Sequence, residues 1–160
     1  MVRIVPYPNV PPRLRDDETD ARLVAALRWA RVRSAGPVLV ATDGGSIGTD
    51  FWSRAAGWGV AFDGFASGGR VPGRDQTAAA AELWALVQLL QAACEAEVPR
   101  LVCVIDNKGV LRTAQRLRDP NAPLPRCKPQ AWRHVQTLLQ HCHQLMPLIH
   151  NYPFRLTHPS

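Results

Sequence analysis

The sequence predicts an α/β fold in which helices pack on the faces of a mixed central sheet. Two short apolar runs, VLVAT at 38–42 and LVCVI at 101–105, are typical of strands buried on both faces. Two glycine-rich segments follow the first run and are separated by Asp63-Gly64, a dipeptide that favours a hairpin. A long helical pattern precedes the second run. The pattern indicates an antiparallel meander followed by alternating units, in the order β-β-β-α-β-α-α-β.

The N-terminal stretch, residues 1–36, is expected to form an arm and an accessory helix. Residues 1–15 are rich in proline and show no periodicity. A helix is predicted after them, because acids at its start and arginines at its end suit the helix dipole. The starting acids are Asp16, Asp17, Glu18 and Asp20. An apolar stripe of Leu23, Leu27 and Ala30 favours a helix packed on the domain over a nucleic-acid-binding arm.

Residues 37–160 are predicted to form a single domain. PVLVATDGG (37–45) is interpreted as a buried strand ending in a glycine turn, and two further strands follow at 55–64 and 65–73. Trp58 is expected to pack in the core. The remaining predicted elements are a helix at 76–96, a strand at 100–107, a helix at 107–119, a proline-rich loop at 120–129, a helix at 130–146 and the start of a strand at 152–160.

Composition is typical of a globular protein. Hydrophobic residues make up 46% and charged residues 20% of the 160 residues, and no run of 18 apolar residues occurs. We therefore expect no membrane association. The four cysteines follow no CxxC spacing, and Cys103 lies in an apolar strand, where a buried free thiol is expected. These features favour an intracellular location, in the cytoplasm or the nucleus.

The chain is basic. Its formal net charge is +6, carried by 17 arginines and two lysines. Arginine suits phosphate contacts, since its planar guanidinium can bond two oxygens at once. A polyanionic partner is one interpretation. A coding bias toward arginine and alanine is the other.

Three acidic residues occupy positions where packing alone does not favour a carboxylate. Asp43 and Asp106 each close an apolar strand, and Glu82 shares one helix side with Leu86 and Leu89. A buried, ionised Glu is costly, and clustered carboxylates repel one another. A hard divalent cation would relieve both penalties. Taken singly, each acid has a structural alternative. Asp43 is compatible with a turn residue, Asp106-Asn107 with a helix N-cap, and Glu82 with a helix residue outside the buried stripe.

Four short motifs, taken together, resemble those of ribonuclease H domains, especially the type found in retroelement polyproteins and in eukaryotic ribonuclease H enzymes. The motifs are TDGG at 42–45, GWGV at 57–60, QT…AEL at 76–83 and VIDN at 104–107, with a late TH at 157–158. The resemblance covers residues 37–160 and implies a ribonuclease H-like fold. It also implies metal-assisted hydrolysis of the RNA strand of an RNA/DNA hybrid.

The resemblance also assigns roles to individual residues. It implies that Asp43, Glu82 and Asp106 hold Mg²⁺ or Mn²⁺, with Asp43 bridging two ions. It implies that His158 assists proton transfer or product release. The residues expected to contact nucleic acid are Gly44, Gly45, Ser46, Asn107, Lys108 and Arg112.

The chain departs from this family pattern in two places. The family normally has a fourth carboxylate on a C-terminal helix, but no Asp or Glu occurs after Asp119. We therefore expect a C-terminally incomplete domain and an incomplete two-ion site. Some family members carry asparagines before the helix glutamate, where this chain has Ala78, Ala79 and Ala80.

Three functions are compatible with these observations. The first is an active ribonuclease H-type endonuclease, part of a retroelement reverse transcriptase polyprotein whose other domains are candidate partners. The second is a catalytically impaired module of the same fold that binds nucleic acid or serves a structural role. The third is another nuclease or an integrase of the same broad fold.

Overall fold

The computed structural model describes residues 17–33, 36–48, 53–62 and 64–141. The elements in chain order are α1 (Asp17–Arg33), β1 (Val38–Ile47), β2 (Ala55–Phe62), β3 (Phe65–Arg70), α2 (Ala78–Glu95), β4 (Leu101–Ile105), α3 (Lys108–Leu117) and α4 (Pro129–His141). Their order agrees with the predicted order. The strand predicted at 152–160 lies outside the described residues.

The four strands form one mixed sheet in the order β3-β2-β1-β4. The β1–β2 and β2–β3 pairs are antiparallel, whereas β1 and β4 are parallel, in a ladder that runs from Val38 opposite Leu101 to Thr42 opposite Ile105. The predicted mixed sheet is confirmed. Parallel pairing of β1 and β4 brings their equivalent ends together, which places the residues that follow Thr42 and Ile105 side by side.

The first strand is longer than its sequence suggests. The glycine turn predicted after Asp43 is wrong, since β1 continues to Ile47. Gly44, Gly45, Ser46 and Ile47 all pair with β2, so the antiparallel neighbour supplies the hydrogen-bond partners that keep the chain extended. The glycines therefore lie within the sheet.

The predicted hairpin between β2 and β3 is present. Phe62 pairs directly with Phe65, and Gly64 has a φ of +79°. A positive φ is readily adopted by glycine because it lacks a Cβ. The two phenylalanine rings, 5.1 Å apart, pack beside the turn.

Helix α2 lies at the centre of the core. It contacts β1 and β2 as well as α1 and α4, and its residues from Ala80 to Leu90 are all buried. Trp58 is 8% exposed, as expected for core packing. Cys103 is a free, fully buried cysteine, and burial raises the pKa of its thiol to about 12.

Helix α1 packs on the domain through its predicted apolar stripe. Leu23 and Leu27 are fully buried, and the helix contacts α2 and β3. Two of its arginines bond the C-terminal end of α2: Arg28 donates to the Glu95 carbonyl at 3.4 Å, and Arg31 donates to the Ala96 carbonyl at 3.2 Å. Carbonyls at a helix C-terminus lack intrahelical partners, so these arginines act as caps. Part of the arginine excess therefore has a structural role.

The segment before α2 is held by side-chain hydrogen bonds. The amide nitrogen of Gln76 donates to the Val71 carbonyl at 2.6 Å and the Gly73 carbonyl at 2.9 Å, and its oxygen accepts from the Ala56 N–H at 2.8 Å. Thr77 then caps the helix by accepting from the Ala80 N–H. These contacts set where α2 begins relative to β2.

None of the helices in the described ranges is long and apolar enough to cross a membrane.

Candidate metal and nucleic-acid site

The two strand acids lie at one end of the β1–β4 ladder. The ladder ends at Thr42 opposite Ile105, and Asp43 and Asp106 are the next residues along the chain. Side chains at matching positions of parallel strands leave the same face of a sheet. Both aspartates are exposed. The register therefore brings the two exposed aspartates to the same end of the ladder, where β4 ends.

The third acid reaches this place because α2 packs directly on the backbone of β1. A Cβ added at Gly44 would lie 2.5 Å from the carbonyl carbon of Ala81 and 2.5 Å from the backbone nitrogen of Glu82. Only a residue without a side chain permits so close an approach. Because Gly44 has no side chain, the backbone of Glu82 lies against β1 at the position directly after Asp43.

Glu82 is the buried member of the three. The residue is only 8% exposed, and its Oε2 has no hydrogen-bond partner. Among the described residues, Thr42 Oγ1 is the other buried side-chain oxygen in this condition. Buried polar atoms are nearly always paired, so an unpaired carboxylate oxygen indicates that this position has a role beyond packing.

The electrostatic surroundings of Glu82 favour its neutral form. The pKa of Glu82 is raised to about 7, mainly by burial and then by the negative charges of Asp43 and Asp106. A hydrogen bond from the Gly44 N–H acts in the opposite direction and lowers this pKa. The same N–H donates to Asp43 Oδ1 at 2.8 Å. Because both aspartate charges act on the pKa of Glu82, the three carboxylates form one electrostatic cluster.

The cluster has the chemistry of a divalent-metal site without the converged geometry of one. Carboxylate oxygens are the donors that Mg²⁺ and Mn²⁺ prefer, and the unpaired Glu82 oxygen is a free ligand. Yet no group of three His, Cys, Asp or Glu side chains in the described part of the chain is arranged to hold an ion. Asp43 and Asp106 are exposed, and Asp43 Oδ1 accepts from the Gly44 N–H. The donor types therefore suit a divalent cation, whereas the positions of these three acids do not form a complete set of ligands.

The raised pKa of Glu82 predicts how stability depends on pH. The carboxyl of Glu82 binds a proton more tightly in the folded protein than in the unfolded chain, where its pKa is near 4.5. The stabilisation that comes from this proton is therefore fully present below pH 4.5, and it is lost as the pH rises through 7. Glu82→Gln removes this titration. In chelator-containing buffer at pH 8, we expect the variant to exceed the parent in free energy of unfolding by up to about 3 kcal/mol.

Urea unfolding at several pH values between 4 and 8 measures this difference. Glu95→Gln is the matched control, because Glu95 is exposed on the same helix. A parent protein whose stability stays level from pH 4.5 to pH 7.5 would contradict the buried, proton-binding state of Glu82.

The residues predicted to contact nucleic acid differ in their availability. Gly45 and Ser46 are exposed on β1, opposite Gly57 and Ala56. Gly44, in contrast, is packed under α2.

Asn107 is engaged in the structure of α3. Its side-chain oxygen caps the helix, accepting from the Val110 N–H at 3.0 Å. Of the two residues considered for an N-cap, Asp106 and Asn107, it is Asn107 that caps the helix. Any contact of Asn107 with nucleic acid has to use its side-chain nitrogen or its backbone.

Two predicted cationic contacts lie beside the acids. Lys108 and Arg112 are exposed and are one turn apart on α3, whose N-terminus follows Asp106 and Asn107. Residues four apart lie on one helix face, so these cations point away from the core together. His158 lies outside the described residues, and its role stays a prediction.

Positive charge is concentrated in one part of the chain. Residues 107–141 hold seven of the 19 Lys and Arg residues and one of the 13 Asp and Glu residues. Their net charge of +6 equals that of the whole chain, so positive and negative side chains are equal in number in the rest of the sequence. Of these cations, Arg116 bonds the Pro123 carbonyl at 2.6 Å and Lys128 pairs with Asp75. The region from α3 to α4 is thus the basic part of the protein.

Two residues that shape the site do not stand out in the sequence. Gln76 belongs to one of the four motifs, but only the structure shows that its three hydrogen bonds set the approach of α2. Thr42 follows an apolar strand pattern, and nothing in that pattern indicates its unpaired hydroxyl. Its place two residues before Gly44 puts it on the helix-facing side of β1, which only the packing of Gly44 against α2 shows.

Solved structures with the same fold include several ribonuclease H domains. The foamy viral protease-reverse transcriptase in complex with RNA/DNA hybrid matches 74% of this chain with a TM-score of 0.57 and 19% identity, and the match spans 18% of that longer chain. The RNase H domain of PFV matches 78% of this chain and 86% of its own, with a TM-score of 0.55 and 19% identity. The N-terminal RNase H domain of a Mycobacterium tuberculosis protein matches 75% and 85%, with a TM-score of 0.55 and 18% identity.

At the level of sequence, no protein-family model and no curated protein matches the chain. At identities of 18–19%, these matches establish that the fold is shared.

Proposed function

We propose that the protein is a ribonuclease H-type endonuclease that uses Mg²⁺ or Mn²⁺ to hydrolyse the RNA strand of an RNA/DNA hybrid. The observation that carries this proposal is the buried, unpaired carboxylate of Glu82, electrostatically linked to Asp43 and Asp106. We place the domain in a retroelement reverse transcriptase polyprotein, a setting favoured by the foamy viral match.

Each acid has a distinct task in this proposal. Asp43, whose charge acts on Glu82, would hold the cation together with the other two acids. Glu82 would supply its unpaired Oε2 as a ligand, and its carboxyl has to be ionised to do so. Asp106 closes the site from the end of β4. When bound, the cation would stabilise charge at the scissile phosphate and lower the pKa of a coordinated water.

Substrate would lie over the exposed part of β1 and the start of α3. The exposed backbone at Gly45 and Ser46 offers contacts to RNA 2′-hydroxyls, which distinguish RNA from DNA. Lys108 and Arg112 offer contacts to phosphates, which position a strand without reading its sequence. His158 is proposed to assist proton transfer or product release.

The test compares four substrates of one sequence: RNA/DNA hybrid, double-stranded RNA, double-stranded DNA and single-stranded RNA. We expect cleavage only of the RNA strand in the hybrid, with Mg²⁺ or Mn²⁺ and not with a chelator. Gel analysis of the end-labelled strands measures this specificity. Cleavage of the DNA strands would instead favour the nuclease or integrase alternative.

A second candidate function is a hybrid-binding module without catalysis. The observation that favours it is that the three acids do not converge as ligands in the described structure. This alternative predicts a gel shift with the hybrid in the presence of metal and no cleavage product at any protein concentration.

A further inference from the structure

Helix α1 carries a second apolar stripe on the side that faces away from the domain. Leu23 and Leu27 face the core, whereas a row of apolar residues at helical spacing is exposed: Ala21, Ala25, Trp29 and Val32. Trp29 is 63% exposed and Val32 is 73% exposed. Large apolar side chains that adjoin one another on a helix surface form a patch, and such patches mark contact sites.

The stripe is graded in size along the helix. Its N-terminal half consists of the small residues Ala21 and Ala25, and its C-terminal half consists of the larger Trp29 and Val32. Two such helices packed antiparallel would place the large half of each against the small half of the other. A two-fold axis near Ala25 sets Trp29 opposite Ala21 of the second copy. Interdigitation of large with small side chains is how helices pack closely.

Charge along the sequence of α1 is graded in the same direction. The first two helix positions, 17 and 18, are acidic residues. In the last turn, Arg33 is exposed and lies over the Trp29 ring, whereas Arg31 bonds the end of α2. In an antiparallel pair the acidic end of each helix lies beside the basic end of the other. A two-fold axis near Ala25 sets position 33 of one helix level with position 17 of the second copy. In a parallel pair, like charges would meet.

From these two gradients we infer that the exposed face of α1 binds a second copy of this chain, as an antiparallel, two-fold symmetric helix pair. A symmetric pair uses the same patch on both copies, so the patch must be complementary to itself when reversed. Both the side-chain sizes and the charge order of α1 meet that condition. Nucleic acid fits this face less well, because the positive excess of the chain lies in residues 107–141.

The expected dimer is weak. A 17-residue helix is about 25 Å long, so one helix pair buries less area than a standard protein–protein interface. We therefore expect association in the micromolar range. Sedimentation velocity over a concentration series measures it, as a shift from the monomer mass of 17.7 kDa to twice that mass.

Four variants identify the face. Ala25→Arg places two cations at the two-fold axis, and Trp29→Ala removes the largest contact; each should weaken dimerisation at least tenfold. Arg33→Glu should weaken it as well, and Asp17→Arg combined with Arg33→Glu should restore it. Ile47→Ala is the matched control, because Ile47 is 75% exposed and lies on β1. Circular dichroism checks that each variant keeps the fold.

The outcomes separate this inference from its rivals. A parent chain that stays monomeric at all concentrations overturns it, as does a dimer that Ala25→Arg leaves intact. A monomer whose Trp29→Ala variant loses affinity for single-stranded oligonucleotides assigns the face to nucleic acid and also overturns it. None of these results depends on whether the protein cleaves RNA.

Discussion

Asp43→Asn is expected to reduce metal-dependent cleavage of an RNA/DNA hybrid by on the order of 100-fold or more. The substitution keeps the shape of the side chain and an oxygen that can accept from the Gly44 N–H. What it removes is one negative charge and one hard ligand at the proposed shared position. Calorimetric titration with Mn²⁺ should show the same loss, with weaker binding or none.

Asp119→Asn is the matched control for this experiment. Asp119 is exposed beyond the end of α3, and its Oδ1 accepts from the Asn121 N–H, a bond that an asparagine oxygen can also make. Both substitutions change the net charge equally. Equal losses in the two variants would point to a general charge effect on nucleic-acid binding. Unchanged metal binding in Asp43→Asn would contradict the proposed site.

The same variant also reports on the cluster without any catalytic assay. The charge of Asp43 is one cause of the raised pKa of Glu82. Its removal should lower that pKa, so that the pH-dependent loss of stability ends at a lower pH and is smaller in total. Urea unfolding in the presence of chelator measures this shift and separates a disrupted fold from a disrupted metal site.

Gly44→Ala is expected to lower the free energy of unfolding by at least about 2 kcal/mol. The new methyl group would lie 2.5 Å from backbone atoms of Ala81 and Glu82, and backbone cannot move aside as a flexible side chain can. Helix α2 must shift away from β1, and it lies at the centre of the core. For a domain of this size the change corresponds to a melting temperature lower by roughly 5 °C.

Gly45→Ala is the matched control, since a Cβ at this neighbouring position of β1 meets nothing within 4 Å. Thermal unfolding of the two variants measures the difference. A Gly44→Ala protein as stable as Gly45→Ala would show that the contact between β1 and α2 is looser than described. If α2 shifts away from β1 in Gly44→Ala, the stabilisation of the folded protein by a bound metal should fall as well, because Glu82 moves with the helix.

Much of the fold is predictable because its signals are local. The apolar runs at 38–42 and 101–105 predict buried strands, and Asp63-Gly64 predicts the hairpin that pairs Phe62 with Phe65. The predicted glycine turn after Asp43 is wrong because a local preference of glycine is outweighed by pairing with β2. Extended pairing depends on a partner strand that lies elsewhere in the sequence.

The choice of the three acids follows from residue patterns alone. Asp43, Glu82 and Asp106 stand out because carboxylates at strand ends and on an apolar helix face cannot be explained by secondary structure. Their mutual arrangement, in contrast, follows from packing. The parallel register sets Asp43 beside Asp106, and the missing side chain of Gly44 admits the backbone of Glu82. Burial and the two neighbouring charges then raise the pKa of Glu82. Distance and desolvation are properties of the packed chain, so no local pattern of residues contains them.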